Sequence, residues 1–414
     1  MNSITVNKIK CQRDLFNIPE HIVYLNTAYM SPLSNKVQKA ILNGSIIETQ
    51  PWRIDPKLHF FSFLNQIKIS FAELFKISHK NVSLIPSASY GISTAAKNIK
   101  LTKTKNKILI LKDQFPSNVY PWMELVRNNM GIIEKIDSCN EKSITEKLID
   151  RINEQVIAVA IPNIRWTDGY VLDLERISIA CKNYDVKLIL DLTQSAGAME
   201  IDLGKIKPDF AIIANYKWML GPYSTGFMYV SDNFIEGIPL EETWIGRKNS
   251  EDFSKLTVYQ SEYNFDSIRF DMGQRANFTL MPGVMASLEQ LHDWGIKNIE
   301  NTLYENNKII CKGLNELGFD ILSSINYTLT PADFTAQCLT LKELEADYAY
   351  LANSSNSTTS LLKACNAVAV ETQFMANVWG IDETVIKASG KASNGLVFAV
   401  RTCLLYTSPS PRDS

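Results

Sequence analysis

Metal-binding and disulfide patterns are missing from this chain. Its seven cysteines (Cys11, Cys139, Cys181, Cys311, Cys338, Cys365 and Cys403) are widely spaced and form no C-x-x-C pair, and its four histidines form no H-x-x-x-H pair. A zinc site and a disulfide framework are both disfavoured. No apolar run is long enough to span a bilayer, and the opening MNSITVNKIKCQRD has no apolar core of signal-peptide length. Neither sign of charge dominates: 42 Lys and Arg face 44 Asp and Glu, a formal net charge of −2, with no basic cluster. That excludes the electrostatic footprint of a nucleic-acid or anionic-membrane binder. Neither G-x-G-x-x-G nor G-x-x-x-x-G-K-[ST] occurs, which leaves a nucleotide-binding reading without support. The expectation is a protein of the reducing cytoplasm whose partners are small molecules and other protein chains.

What is present is a large apolar reserve. With 414 residues and 45% hydrophobic content, the chain exceeds one ordinary core and predicts two domains. From about residue 82, short Val/Ile/Leu runs alternate with amphipathic segments. VSLIP leads into SYGISTAAKNI, KILIL into NVYPWMELVRNNM, GIIEKID into ITEKLIDRIN and VIAVAIP into LERISIACKNYD; VKLILDL and DFAIIAN follow. Continuous apolar strands with helix-length crossovers predict an α/β fold, its mostly parallel central sheet covered by helices on both faces. After TGFMYVS two helices read clearly, TLMPGVMASLEQLHDW and IKNIENTLYENNKIICKGLNEL, the second closed by Gly318.

Composition changes near residue 326. Residues 1–326 hold 42 Ile and 15 Ala, whereas 327–402 hold 2 Ile and 12 Ala. The closing LLYTSPSPRDS is rich in Ser and Pro without periodicity. The expected organisation is an N-terminal segment (1–40), a large α/β domain (41–290), the start of a small C-terminal domain (291–326) and a compositionally distinct, spliced or frameshifted stretch (327–414). An Ala-rich helical domain with a tail is the other reading of that stretch.

In an open parallel sheet, ligands collect beyond the carboxyl ends of the strands. Asp191 ends VKLIL, and Lys217, directly after AIIANY, lies 26 residues beyond Asp191, about one strand-connection-strand unit. Singly, each reads as a turn residue or a solvated charge. Together they suit pyridoxal phosphate, which needs a lysine amine for its aldehyde and a carboxylate for its pyridine nitrogen. An apolar, aromatic-flanked setting also lowers a lysine's pKa.

DLTQSAGAMEIDL, with PDFAIIANYKWMLGPYSTGFMYV after it, resembles the signature of class V aminotransferases. These fold-type I enzymes include cysteine desulfurases, kynureninases and isopenicillin N epimerase-like proteins. The likeness runs more loosely from YLNTAYMSPLS to about residue 323. It implies a fold-type I transferase-like architecture with a partial or atypical small domain. It also implies Lys217 as the Schiff-base lysine, Asp191 as the pyridinium partner and Gln194 as a hydrogen-bonding partner of the ring hydroxyl. Where the family often has His before the lysine, this chain has Tyr216, whose phenol still donates one hydrogen bond. Ala214 stands where the family often has Ser, so phosphate binding must lean on PSASYGIST, at Ser89 and Tyr90, where a helix N-terminus offers free N–H groups. The resemblance places Phe115 on the cofactor face, and Asn163 or Trp166 near the ring hydroxyl. In RFDMGQRANF, Arg275 and Asn277 resemble a segment reaching the partner subunit's phosphate, which implies a homodimer.

One expected feature is absent. After Arg275 the next arginine is Arg401, with no matching motif around it, so no small-domain arginine is available to grip a substrate carboxylate. Asn26, Arg53 and Arg275 remain as substrate-binding candidates, although Arg53 reads first as a surface charge. Cys338 and Cys365 lack the surroundings of a desulfurase nucleophile, and Cys365 has the helical spacing of a buried structural cysteine. The expected function is a pyridoxal-phosphate enzyme acting on an amino acid or related amine by epimerase-like, aminotransferase or lyase chemistry. The alternative is a cofactor-binding protein that does not turn over.

Overall fold

A computed structural model of the protein describes residues 8–137, 143–317, 325, 327, 331–351, 353–376, 381 and 383–398. Gly318, Cys139, Arg401, Cys403 and the Ser/Pro-rich close lie outside them. The chain divides into two compact units, residues 1–308 and 309–414.

The first unit is built on a seven-stranded sheet: β1 (Val82–Ile85), β2 (Lys107–Leu111), β3 (Ile132–Ile136), β4 (Val156–Pro162), β5 (Lys187–Asp191), β6 (Phe210–Ala214) and β7 (Gly226–Val230). The spatial order is β1-β7-β6-β5-β4-β2-β3. The four pairings from β3 across to β6 are parallel, and β7 runs antiparallel to both its neighbours. The apolar runs are continuous because both faces are covered, and every residue of β1 and β6 is buried. Phe71, Phe75, Phe210, Phe227 and Trp122 are fully enclosed, and Phe71 stacks on Phe227 at 4.0 Å between centroids.

The crossover helices start on local signals. Ser87 caps Ala88–Asn98, Asp173 caps Leu174–Asn183, and Ser143 with Glu146 forms a complete capping box on Ile144–Arg151. Because β1 runs in the same direction as β6, the carboxyl ends of β1, β2, β4, β5 and β6 share one edge of the sheet, where β7 begins. Beyond β2 the chain goes to β3 on one side, whereas beyond β4 it goes to β5 on the other, so the topological switch lies between β2 and β4.

The second unit contains a three-stranded parallel sheet in the order β10 (Val397–Phe398), β9 (Gln373–Ala376), β8 (Tyr348–Leu351). Phe334, Leu351, Leu361, Leu362 and Val385 form its own core. Cys338 and Cys365 are joined by a disulfide. Spacing disfavoured a disulfide framework and gave no sign of this single bond: residues 27 apart, on helices Thr335–Glu343 and Ser355–Ala367, are brought together by packing that spacing does not encode. Cys365 is buried, as its helical spacing predicts. Among the described residues no helix is long and apolar enough to cross a membrane.

Candidate active site

Each strand end on the shared edge delivers one piece of a cavity of about 300 Å³. Ser87, Ala88 and Ser89 come from beyond β1, Gln114 and Phe115 from beyond β2, and Pro162, Ile164 and Trp166 from the end of β4. Asp191 and Gln194 come from β5, Lys217 with Tyr216 from beyond β6, and Ser224 with Thr225 from the approach to β7.

Asp191 is the last residue of β5 and is buried, its Oδ1 accepting the Thr193 N–H at 3.1 Å. Burial raises its pKa, against the opposing pull of the Thr193 hydrogen bonds and the Lys217 charge. Lys217 is also buried and makes no ion pair among the described residues. Its Nζ lies 5.8 Å from the ring centroids of both Phe115 and Tyr216. Burial lowers its pKa to about 8, with Asp191 pulling the other way. The lowered pKa enlarges the share of neutral amine, the form that acts as nucleophile and base.

The loop carrying Lys217 is fixed at both ends. Asn215 and Thr225 bridge its base through N–H to carbonyl and side-chain bonds, each 3.0 Å, and Tyr216 O accepts the Ser31 N–H at 2.9 Å. Gly221 is required there, because an added Cβ would lie 2.9 Å from that of Asn215. Across the cavity, Gln114 donates to the carbonyls of Asn118 and Ala160, setting the loop that presents Phe115. Phe115 meets Trp166 edge-on at 5.5 Å, and the Trp166 indole donates to Asp113 O at 2.9 Å.

Of the residues singled out from sequence, Asp191, Gln194, Lys217, Tyr216, Ser89, Phe115 and Trp166 line this cavity, and six others do not. Tyr90 is buried under the helix it starts. Asn163 is turned into the protein, its Nδ2 meeting Met199 Sδ at 3.3 Å, so of that loop's two candidates Trp166 faces the cavity. Asn26 lies in the turn whose Ala28 carbonyl receives Gln194, without lining the cavity itself. Arg53 is exposed and bonds Gln50. Arg275 does not point outward: it is buried, ion-paired to Asp271 alongside Lys68, and donates to Phe60 O. Asn277 accepts the Leu280 N–H in the turn before helix Met281–Trp294 and lines a separate apolar cavity. Ser117, Thr193, Tyr223, Ser224 and Thr225 line the site but were not singled out, because a lone hydroxyl in a turn carries no signal of its own. Among the described residues, no arginine lines the cavity.

The aminotransferase class-V family model matches residues 53–347, and the periplasmic binding protein model matches residues 306–412. A probable cysteine desulfurase of Borreliella burgdorferi is 30% identical over 248 residues, 56% of this chain and 58% of that protein. A kynureninase of Geobacillus thermodenitrificans is 22% identical over 305 residues, 69% of each chain. The chain spans about three fifths of the length of the first curated relatives it matches. A solved structure of a C-DES mutant with glycine covalently linked to the PLP cofactor superposes with a TM-score of 0.68. At 18% identity, covering 81% of this chain and 90% of that one, it is a likeness of fold.

Proposed function

The chain belongs to the aminotransferase class-V family, and from that premise we propose that it is a pyridoxal-phosphate enzyme acting on an amino acid or related amine through Lys217. The observation that carries this reading is the meeting of Asp191, Gln194, Lys217 and the Ala88–Asn98 helix N-terminus in one cavity.

The donor set fits the cofactor. Asp191 is a buried carboxylate whose charge needs a cation, which a protonated ring nitrogen supplies. Ser87 already caps Tyr90 N, while the Ala88 and Ser89 N–H groups belong to the first turn and have no intrahelical partner, so with the Ser89 hydroxyl they suit a phosphate. Phe115 offers an aromatic face and Gln194 an amide beside the ring. Bound, pyridoxal phosphate supplies an electron-accepting ring that weakens the bonds at the substrate Cα. Lys217 Nζ would hold the aldehyde end of the cofactor, and as the amine facing the cavity it would take and return the substrate's Cα proton. Tyr216 and Tyr223, with ring centroids 4.7 Å apart, offer phenol donors on one wall of the cavity.

Epimerase-like, aminotransferase and lyase chemistry all begin with cleavage of a bond at the substrate's Cα. A homodimer accompanies it, supported by the apolar cavity lined by Leu58, Phe63, Asn277, Met281 and Pro282. A second reading has its own support: among the described residues no arginine lines the cavity, and residues 306–412 match a different family. On that reading a replaced C-terminal region leaves a protein that binds cofactor without turnover. Incubation with a panel of amino acids in D₂O separates the two by NMR. Cofactor-dependent loss of a Cα proton signal, absent in Lys217→Ala, is the expected result; no exchange with any amino acid at full cofactor loading supports the second reading.

A further inference from the structure

Beside the lysine stands a side chain with no part in the reading above. Trp218 Nε1 donates to Gln194 Oε1 at 3.2 Å, and Gln194 Nε2 donates to Ala28 O at 3.0 Å. An indole N–H can only donate, so the atom facing it must be the amide oxygen. The Ala28 carbonyl can only accept, which requires the amide nitrogen on the other side. Both neighbours therefore select the same amide orientation, and the second N–H of Nε2 stays available to the cavity that Gln194 lines.

The Trp218 backbone is held against the same loop. Gly197 has φ +93, and a Cβ there would lie 2.3 Å from Trp218 O. The stretch carrying Gln194 and the stretch carrying Lys217 thus touch twice, through the indole and through the glycine.

We infer that Trp218 is a positioning residue that fixes the Gln194 amide with its nitrogen toward the cofactor's ring oxygen and locks the Gln194 loop to the Lys217 loop. The inference rests on the cofactor reading for its consequence, but the latch itself belongs to the cofactor-free protein. In Trp218→Phe the ring volume is nearly kept and the donor is lost. The amide then keeps only the Ala28 carbonyl to set its orientation.

The test uses the full chain and two readouts. In the cofactor-free protein, the Trp218 indole N–H resonance, identified by its loss in Trp218→Phe, should shift in Gln194→Ala and stay in Gln194→Glu, which keeps the acceptor but not the donor. In titrations with pyridoxal phosphate, Trp218→Phe and Gln194→Ala should each weaken binding by about 3- to 10-fold, the worth of one hydrogen bond, and the double variant should be no weaker than Gln194→Ala. Gln194→Glu should bind as weakly as Gln194→Ala despite its intact indole signal. Additive losses in the double variant, or an indole resonance indifferent to Gln194→Ala, overturn the inference. A wild-type protein with the latch signature but no cofactor uptake overturns the cofactor reading and the proposed role together, leaving the contact a structural one.

Discussion

Lys217 is an amine held where water would normally stabilise its charge, and burial brings its pKa from 10.5 to about 8. Between those values the unfolded chain keeps the proton and the folded chain has released it, so stability rises with pH across that window. Below about pH 8 both states are protonated and the whole penalty is present, on the order of 3 kcal/mol. Urea unfolding of the cofactor-free protein from pH 7.5 to 10 should therefore show a steeper gain for the wild type than for Lys217→Met; parallel curves would deny the burial effect. Asp191 and Lys217 were legible in sequence because each follows an unmistakable apolar strand and their spacing matches one strand-connection-strand unit. Trp218 was legible only as part of a motif. Its task depends on Gln194, 24 residues earlier, and on a Gly197 backbone that sequence does not display as strained. Arg275 was read as reaching the partner subunit's phosphate because its segment resembles one that does, and the buried Asp271 that neutralises it was not visible as its partner.

Elements followed their local signals closely. The strands were legible because a sheet covered on both faces needs uninterrupted apolar runs, and the helices because amphipathic segments of crossover length separate those runs. Close approach between elements was not legible. Helix Asn35–Thr49 packs on Met281–Trp294, where a Cβ on Gly44 would sit 2.4 Å from Phe278 O and one on Gly283 2.6 Å from Ile41 Cγ1. In an exposed helix Gly→Ala gains about 1 kcal/mol. Here the backbone carbonyl cannot yield cheaply, so Gly44→Ala should instead destabilise the first unit by about 1–3 kcal/mol in chemical denaturation. A gain in stability would show that the two helices can separate without cost.

The whole molecule carries two cores of different composition, one with a buried amine and carboxylate and one with a disulfide. The change near residue 326 was plain in the Ile and Ala counts, but the sheet beyond it was not, because its strands are short and lack alternation. Calorimetry should resolve two transitions. Pyridoxal phosphate should raise only one of them, in proportion to ligand concentration. Reductant should lower only the other, by roughly 3 kcal/mol for a loop of this size. A single transition answering to both reagents would contradict two independent units. The central claim is that Lys217 is the cofactor's anchor. It is tested most directly by incubating the purified chain with pyridoxal phosphate, reducing with borohydride and mapping the modified peptides. The account predicts a visible absorption band that bleaches on reduction and one modified residue, Lys217, with both lost in Lys217→Ala; modification of another lysine, or no band at all, would contradict it.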